Sequence, residues 1–274
     1  MGFNGGGLTR RGGGAAIVDK LFKITINTAG SFTLPFQSAA TNVTVYWGDG
    51  LSDVITSYNQ SELTHTYASA GVYQISVDGQ FGGVRFNNGG NRLEVTSIDN
   101  WGSTVWNFTN QSFWGCSNMT SNYSDKPKFL ISTNMLRMFR GCTDFNGNVS
   151  DWNVSKITNM QEVFIYCSTF NRDILNWNTL KVTSMSFMFY NSFNFNGNIS
   201  GFNISSLTNA SNMLNGTSFD TTNYDLLLIS WAAQTHNNNV PFHAGTAQYS
   251  PGAAANARAV LIADGWTITD GGQV

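Results

Sequence analysis

From residue 135 to 209 the large apolar side chains return to the same places in a unit of 25 residues. Counting from Met135, Met160 and Met185, the fourth residue on is Phe139, Phe164 and Phe189, and the tenth is Phe145, Phe170 and Phe195. The seventeenth is Trp152, Trp177 and Phe202, and mostly Asn, Ser, Thr and Gly fill the intervals. A looser copy runs from Thr109 to Asn134, with Phe113, Cys116 and Ile131 in matching places and one extra residue near Pro127; a degraded copy follows from Ala210. Self-similarity at a period of roughly 20–50 residues is the mark of stacked units that each bury their apolar face against the next. The pattern predicts a right-handed solenoid over about 100–215, with Phe139, Phe164 and Phe189 as one stacking column and Trp152, Trp177 and Phe202 as another.

Within a unit, "TNMQEVF" predicts a short helical turn with Met160, Val163 and Phe164 on one side, Asn159 as N-cap and Glu162 completing a capping box. "NVSDWNV" suits a short strand. Two asparagine columns, Asn146, Asn171, Asn196 and Asn153, Asn178, Asn203, are expected to bond the backbone of the adjacent unit.

The pattern changes on either side. Residues 20–98 hold short alternating runs, "LFKITINT", "SFTLPF", "NVTVYWGD", "LTHTYA", "GVYQISVDG" and "RLEVTSI", separated by turn residues, which predicts an antiparallel β-sandwich. Residues 1–19 form a Gly-rich tether carrying Arg10 and Arg11, expected to be an attachment arm. In residues 216–274, Tyr224, Leu227, Leu228 and Trp231 fall at helical spacing. "YSPGAAANARAVLIADG" then reads as a second helix with Ser250 as N-cap, Pro251 at its first position and Gly265 past its end, and "WTITDGG" as a closing strand. An array needs such an end-cap.

Composition narrows the function. Charged residues are 11% of the chain, against about 25% in a typical soluble protein, and the net charge is -2 with 14 Lys+Arg spread thinly. No basic stripe exists to follow phosphates, so nucleic acid and anionic membrane are poor partners. No apolar run reaches the roughly 20 residues of a membrane span. The start has neither the apolar stretch of a secretory leader nor a myristoylation signal, so export by a leader of its own is not expected.

Candidate chemistry is sparse. Cys116, Cys142 and Cys167 share one place in successive units, where the next copy has Ser192; that is how a small buried packing residue behaves, and no CxxC or nearby His argues for zinc. His65, His236 and His243 lie in separate segments outside any catalytic motif. Asp220 and Asp225 are the nearest approach to a carboxylate pair and are expected to be solvated. No catalytic residue, metal or cofactor is expected. Trp101, Trp106 and Trp114 crowd the junction of the two patterns and are candidates for a sugar-binding platform or for core filling.

"VYWGDG" (45–50) and "HTYASAGVYQISV" (65–77) resemble the PKD-type, immunoglobulin-like domain. The units from about Trp101 to Asn209 resemble BspA-type leucine-rich-repeat surface proteins, with Phe and Met where ordinary repeats carry Leu. The expected fold class is therefore mainly β with short helices: an N-terminal immunoglobulin-like sandwich (20–98), a leucine-rich-repeat-like solenoid (99–215) and an α/β cap (216–274). The resemblances imply a non-enzymatic module displayed on an exterior. With no leader in view, a multi-copy structural protein outside a phage virion is expected, as capsid decoration, head fibre or tail component. It would be joined to capsid or tail proteins through the arm and would contact a host-surface glycan or protein. A bacterial cell-surface adhesin is the alternative.

Overall fold

The computed structural model describes residues 20–37 and 42–274; the expected arm with Arg10 and Arg11 lies outside them. The described chain is mainly β, with two α-helices.

Alternation builds the first sheet. In β1 (Phe22–Thr28), Phe22, Ile24 and Ile26 point into the core while Lys23, Thr25 and Asn27 do not. β1 pairs antiparallel with β6 (Gly71–Asp78) on one side and with β7 (Val95–Asn100) on the other. β3 (Val43–Tyr46) and β4 (Ser52–Ile55) extend the sheet beyond β6. A separate antiparallel pair, β2 (Ser31–Thr33) with β5 (Thr64–Thr66), buries Phe32. The "WGDG" turn between β3 and β4 is locked to β5 and the chain after it. Gly48 has φ +88°, and a Cβ there would stand 2.6 Å from the Gln74 carbonyl oxygen. Asp49 accepts from the Leu51 amide at 3.0 Å, and its other oxygen meets His65 Nε2 at 2.7 Å. The Trp47 ring lies flat on His65, centroids 4.9 Å apart, and Tyr67 Oη donates to the Trp47 carbonyl at 2.9 Å. Asp49 and His65 thus tie the turn to β5.

β7 serves two structures. It closes one side of the sheet on β1 and pairs parallel with β8 (Thr120–Ser121), the first strand contributed by the repeats. The inter-unit hydrogen bonds begin earlier still, from the Phe86 amide to the Ser112 carbonyl and from Asn88 to Trp114. The ladder therefore starts inside the segment that the sequence pattern assigns to the sandwich, and one core runs from Phe22 to Trp266.

Each unit is a series of overlapping turns, and this corrects both local expectations. Met138, Arg140 and Cys142 donate back to the carbonyls of Met135, Arg137 and Phe139, three residues earlier. The alternate amides, Met135, Arg137, Phe139 and Gly141, donate to Asn159, Gln161, Val163 and Ile165 of the next unit. The same bonds recur from Met160, Glu162, Phe164 and Tyr166 to Ser184, Ser186, Met188 and Tyr190. Amides that a helix would use internally are spent between units, so no helix forms, and buried backbone stays paired. Asn159 accepts from Gln161, two residues on, rather than capping a helix, and Glu162 turns away to Arg137 and Arg140. "NVSDWNV" is turn and irregular chain rather than strand; the regular β contact is one parallel bridge per unit, Asn134 to Asn159 to Ser184 to Asn209.

The apolar columns stack as rings. Phe113, Phe139, Phe164 and Phe189 lie near-parallel with centroids 5.6, 5.7 and 5.8 Å apart. Phe145, Phe170, Phe195 and Phe219 form a second file at 6.3, 5.9 and 6.2 Å. Such pairs contribute about 0.5–1.5 kcal/mol each beyond their buried area. The third column is only half realised. Trp177 stacks on Phe202 at 6.5 Å, but Trp152 packs against Trp101, Phe129 and Phe139 instead. On its upstream side Trp152 meets no ring of its own column, because the preceding copy has Lys126 and Pro127 at the matching place and one extra residue: spacing between paired units is 26 from Gln111 to Arg137 and 25 from Asn134 to Asn159. For the same reason Ile131 is 66% exposed and Ser132 takes the buried place. One asparagine column behaves as expected, with the Asn146 and Asn171 side chains accepting from the amides of Asn171 and Asn196 in the next unit. The other does not: Asn153, Asn178 and Asn203 accept from Ser155, Leu180 and Ser205 of their own unit.

The cysteines are free and buried. Cys142 and Cys167 donate to the carbonyls of Phe113 and Phe139 in the unit before, and Ser192 donates equivalently to Phe164. Beyond the last unit, β9 (Pro241–His243) takes the next place in the ladder: the amides of Ala210 and Leu214 donate to Pro241 and His243. α1 (Thr221–Ala232), capped by Asp220, buries Tyr224, Leu227, Leu228 and Trp231. α2 (Ala253–Ala263) connects β9 to the parallel strand β10 (Thr267–Thr269). α2 starts two residues later than the sequence suggests, with Gly252 rather than Ser250 at its N-cap. It ends as expected at Gly265, φ +84°, with Gly265 and Trp266 donating back to Ile262 and Leu261.

Candidate functional site

The overlapping turns put two residues per unit in the left-handed region. One column is Gln111, Arg137, Glu162, Phe187 and Asn212; the other is Gly115, Gly141, Tyr166, Asn191 and Gly216. Glycine and asparagine adopt that conformation at little cost, whereas a bulky aromatic does not. Tyr166, φ +61° and 42% exposed, is the exception in its column.

Around it the turn face carries charge and rings together. The Arg137 and Arg140 guanidinium carbons stand 5.2 and 5.3 Å from the Trp114 ring centre, and Arg140 reaches the Tyr166 ring at 5.7 Å. Glu162 accepts from Arg137 Nε and Nη2 at 2.9 and 3.0 Å, and from Arg140 Nη1. Burial pushes its carboxyl pKa up, but the Arg137 hydrogen bonds and the two guanidinium charges outweigh that and hold it below its ordinary value. Tyr190 meets Tyr166 edge-on at 5.9 Å and Phe187 at 5.5 Å. A recess of about 260 Å³ opens between Arg140, Glu162, Tyr166, Phe187 and Tyr190. A face of this kind binds by ring contact and by guanidinium bonding to carboxylate or hydroxyl groups.

A larger cleft of about 470 Å³ lies where β7 passes into the first units, lined among others by Lys20, Tyr123, Asp125, Lys126, Lys128 and Trp152. Asp125 spends its oxygens on the amides of Trp101 and Gly102, at 2.7 to 3.0 Å. Burial raises the Tyr123 phenol, with Trp101 and Arg172 partly offsetting it.

The tryptophans divide. Trp101 and Trp106 are fully buried, 5.1 Å apart and edge to face, so neither is a platform: both fill the core at the junction. Trp114 is half-buried and belongs to the arginine face. Of the stacking residues, Phe139, Phe164, Phe189, Trp177 and Phe202 sit in the columns, and Trp152 leaves its column for the cleft wall. Sequence reasoning missed Arg137, Arg140, Glu162, Tyr166, Phe187 and Tyr190; the available signal was a tyrosine in a column otherwise held by Gly and Asn.

The histidines and acids of the cap are engaged in the fold. His236 bridges the Gln234 carbonyl and Asp264, and His243 Nδ1 accepts from the Gly245 amide. Asp220 caps α1 and Asp225 accepts from Ser250. Burial raises the pKa of all three thiols. Among the described residues no three His, Cys, Asp or Glu side chains gather in a metal-binding group.

Residues 107–226 match the family described as "Mycoplasma protein of unknown function, DUF285". The matched span holds the ladder, its arginine face and the first part of α1, and stops short of the rest of the cap. No curated protein and no solved structure matches the chain.

Proposed function

We propose that this is a non-enzymatic recognition and spacer protein, displayed in many copies on the outside of a phage virion as capsid decoration, head fibre or tail component. In this reading an immunoglobulin-like sandwich of PKD type carries a leucine-rich-repeat-like solenoid of BspA type outward, and the α/β cap seals its far end. Residues 1–19 join capsid or tail proteins, and the arginine–aromatic face touches the host surface.

The observation that carries the recognition role is Tyr166. A bulky side chain held in left-handed backbone, where sister units use Gly or Asn, is strain kept at a surface position, and such strain concentrates at binding sites. The low charge and the closed backbone hydrogen bonding suit a protein that works outside a cell. No helix of the described residues is long and apolar enough to cross a membrane.

A bacterial cell-surface adhesin is the second reading, favoured by the match of 107–226 to a family described from Mycoplasma. Mass spectrometry of purified particles, with immunogold labelling, tests the first: the protein is expected in the particle at high copy. Its absence there together with label on bacterial envelopes establishes the second. Deletion of residues 2–19 is expected to leave a folded protein that no longer joins the assembly.

A further inference from the structure

We propose that the cleft at the junction of β7 and the first units is a binding site for an acidic sugar of the hexuronate type. Its volume, about 470 Å³, falls in the roughly 300–1,000 Å³ range of small-molecule sites. Lys20, Lys126 and Lys128 reach it from two separate segments of the chain, and none of the three ammonium groups has a carboxylate or hydrogen-bond partner among the described residues. The cleft holds two acids, Asp125 and Asp151, and Asp125 is already occupied by two backbone amides. Three lysines against two carboxylates leave a local excess of +1 in a chain of net charge -2, so the cleft favours an anion.

The rest of the lining argues for a sugar over a bare anion. Among the described residues Ser124 Oγ and the Asn148 amide nitrogen have no partner, and Asp151 stands ready to accept hydroxyl protons. At the wall, Trp152 is 4% exposed and its indole N–H has no acceptor, whereas one unit on Trp177 donates to the Val149 carbonyl at 2.8 Å. The Trp152 N–H has no accessible surface, so the cleft meets the edge of the Trp152 ring and not its donor. A carboxylate among the lysines, with hydroxyls toward Ser124, Asn148 and Asp151, matches the polar lining.

The inference holds whether the protein sits on a virion or on a cell. Isothermal titration of the full chain with glucuronic acid and a glucuronate oligosaccharide is expected to give binding that weakens as salt rises, with no binding of glucose. Lys126→Ala with Lys128→Ala, both exposed positions whose loss leaves the core intact, is expected to weaken affinity about tenfold or more. Absence of glucuronate binding, equal binding of glucose, or displacement by inorganic phosphate at equal concentration overturns the proposal.

Discussion

Replacing Trp152 and Trp177, one at a time, by Phe makes the same chemical change at the same place in successive units, and the two are expected to differ in sign or nearly so. Both lose the same ring volume, about 1–2 kcal/mol by the usual scale of core truncation. Trp177 also loses its bond to the Val149 carbonyl, worth about 1 kcal/mol net, because that oxygen keeps the Trp152 amide as a second donor. Trp152→Phe instead removes a buried N–H that has no acceptor, which relieves about 1–3 kcal/mol. Trp177→Phe should therefore destabilise by about 2–3 kcal/mol, and Trp152→Phe should fall between slight destabilisation and a gain, leaving about 2–4 kcal/mol between them. Urea unfolding followed by circular dichroism and by fluorescence measures this, provided both probes give coincident transitions. If Trp152→Phe proves as costly as Trp177→Phe, the reading of Trp152 as an orphaned donor fails.

Tyr166→Gly is expected to be more stable than Tyr166→Ala by about 1 kcal/mol in the same assay, the reverse of the usual order, because the position is left-handed. Cys167→Ser should cost less than about 1 kcal/mol, since Ser192 already makes that bond with a hydroxyl, whereas Ser192→Ala should cost about 1 kcal/mol; equal losses would refute the shared role. Thiol labelling of the native protein should be slow at all three cysteines and become fast in denaturant. Burial lowers the His243 pKa against the weaker pull of Asp270, so its contribution to stability is full above the ordinary value of 6.5 and is lost as pH falls through the lowered folded pKa. Urea midpoints should drop between pH 8 and pH 5, and less so in His243→Asn, whose amide oxygen can still accept from Gly245. Glu162, also lowered, adds a second loss below its ordinary 4.5, which Glu162→Gln should flatten.

What the sequence made legible is whatever repeats as bulk. The phenylalanine files, the cysteine column and the buried face of α1 follow from spacing alone, because a stacked array must place like side chains against like. The Schellman ending at Gly265 and the "WGDG" lock were readable for a related reason: glycine marks backbone that other residues avoid. The turn face was only half readable: Gly115, Gly141 and Gly216 mark the left-handed column of Tyr166, but Arg137, Glu162 and Phe187 occupy such backbone in a column with no glycine to announce it. A short helix was the natural reading of "TNMQEVF", since local pattern cannot reveal that alternate amides are claimed by the next unit. The misplacement of Ile131 has a local source, a single inserted residue whose position decides that Ser132 rather than Ile131 faces inward. Of the two uses the sequence left open for Trp101 and Trp106, the structure shows core filling; aromatic content alone does not say which side of a junction a ring faces.

The strand shared by sheet and ladder determines how the molecule carries load. β7 is bonded along one edge to β1 and along the other to β8, so a pull applied at the cap reaches β1 with no free joint in between. On the β1 side the bonds run perpendicular to the strands, so tension along β7 shears several of them together instead of opening them one after another. The pair β1–β7 therefore yields to such tension only when its bonds give way together, although two register shifts interrupt them.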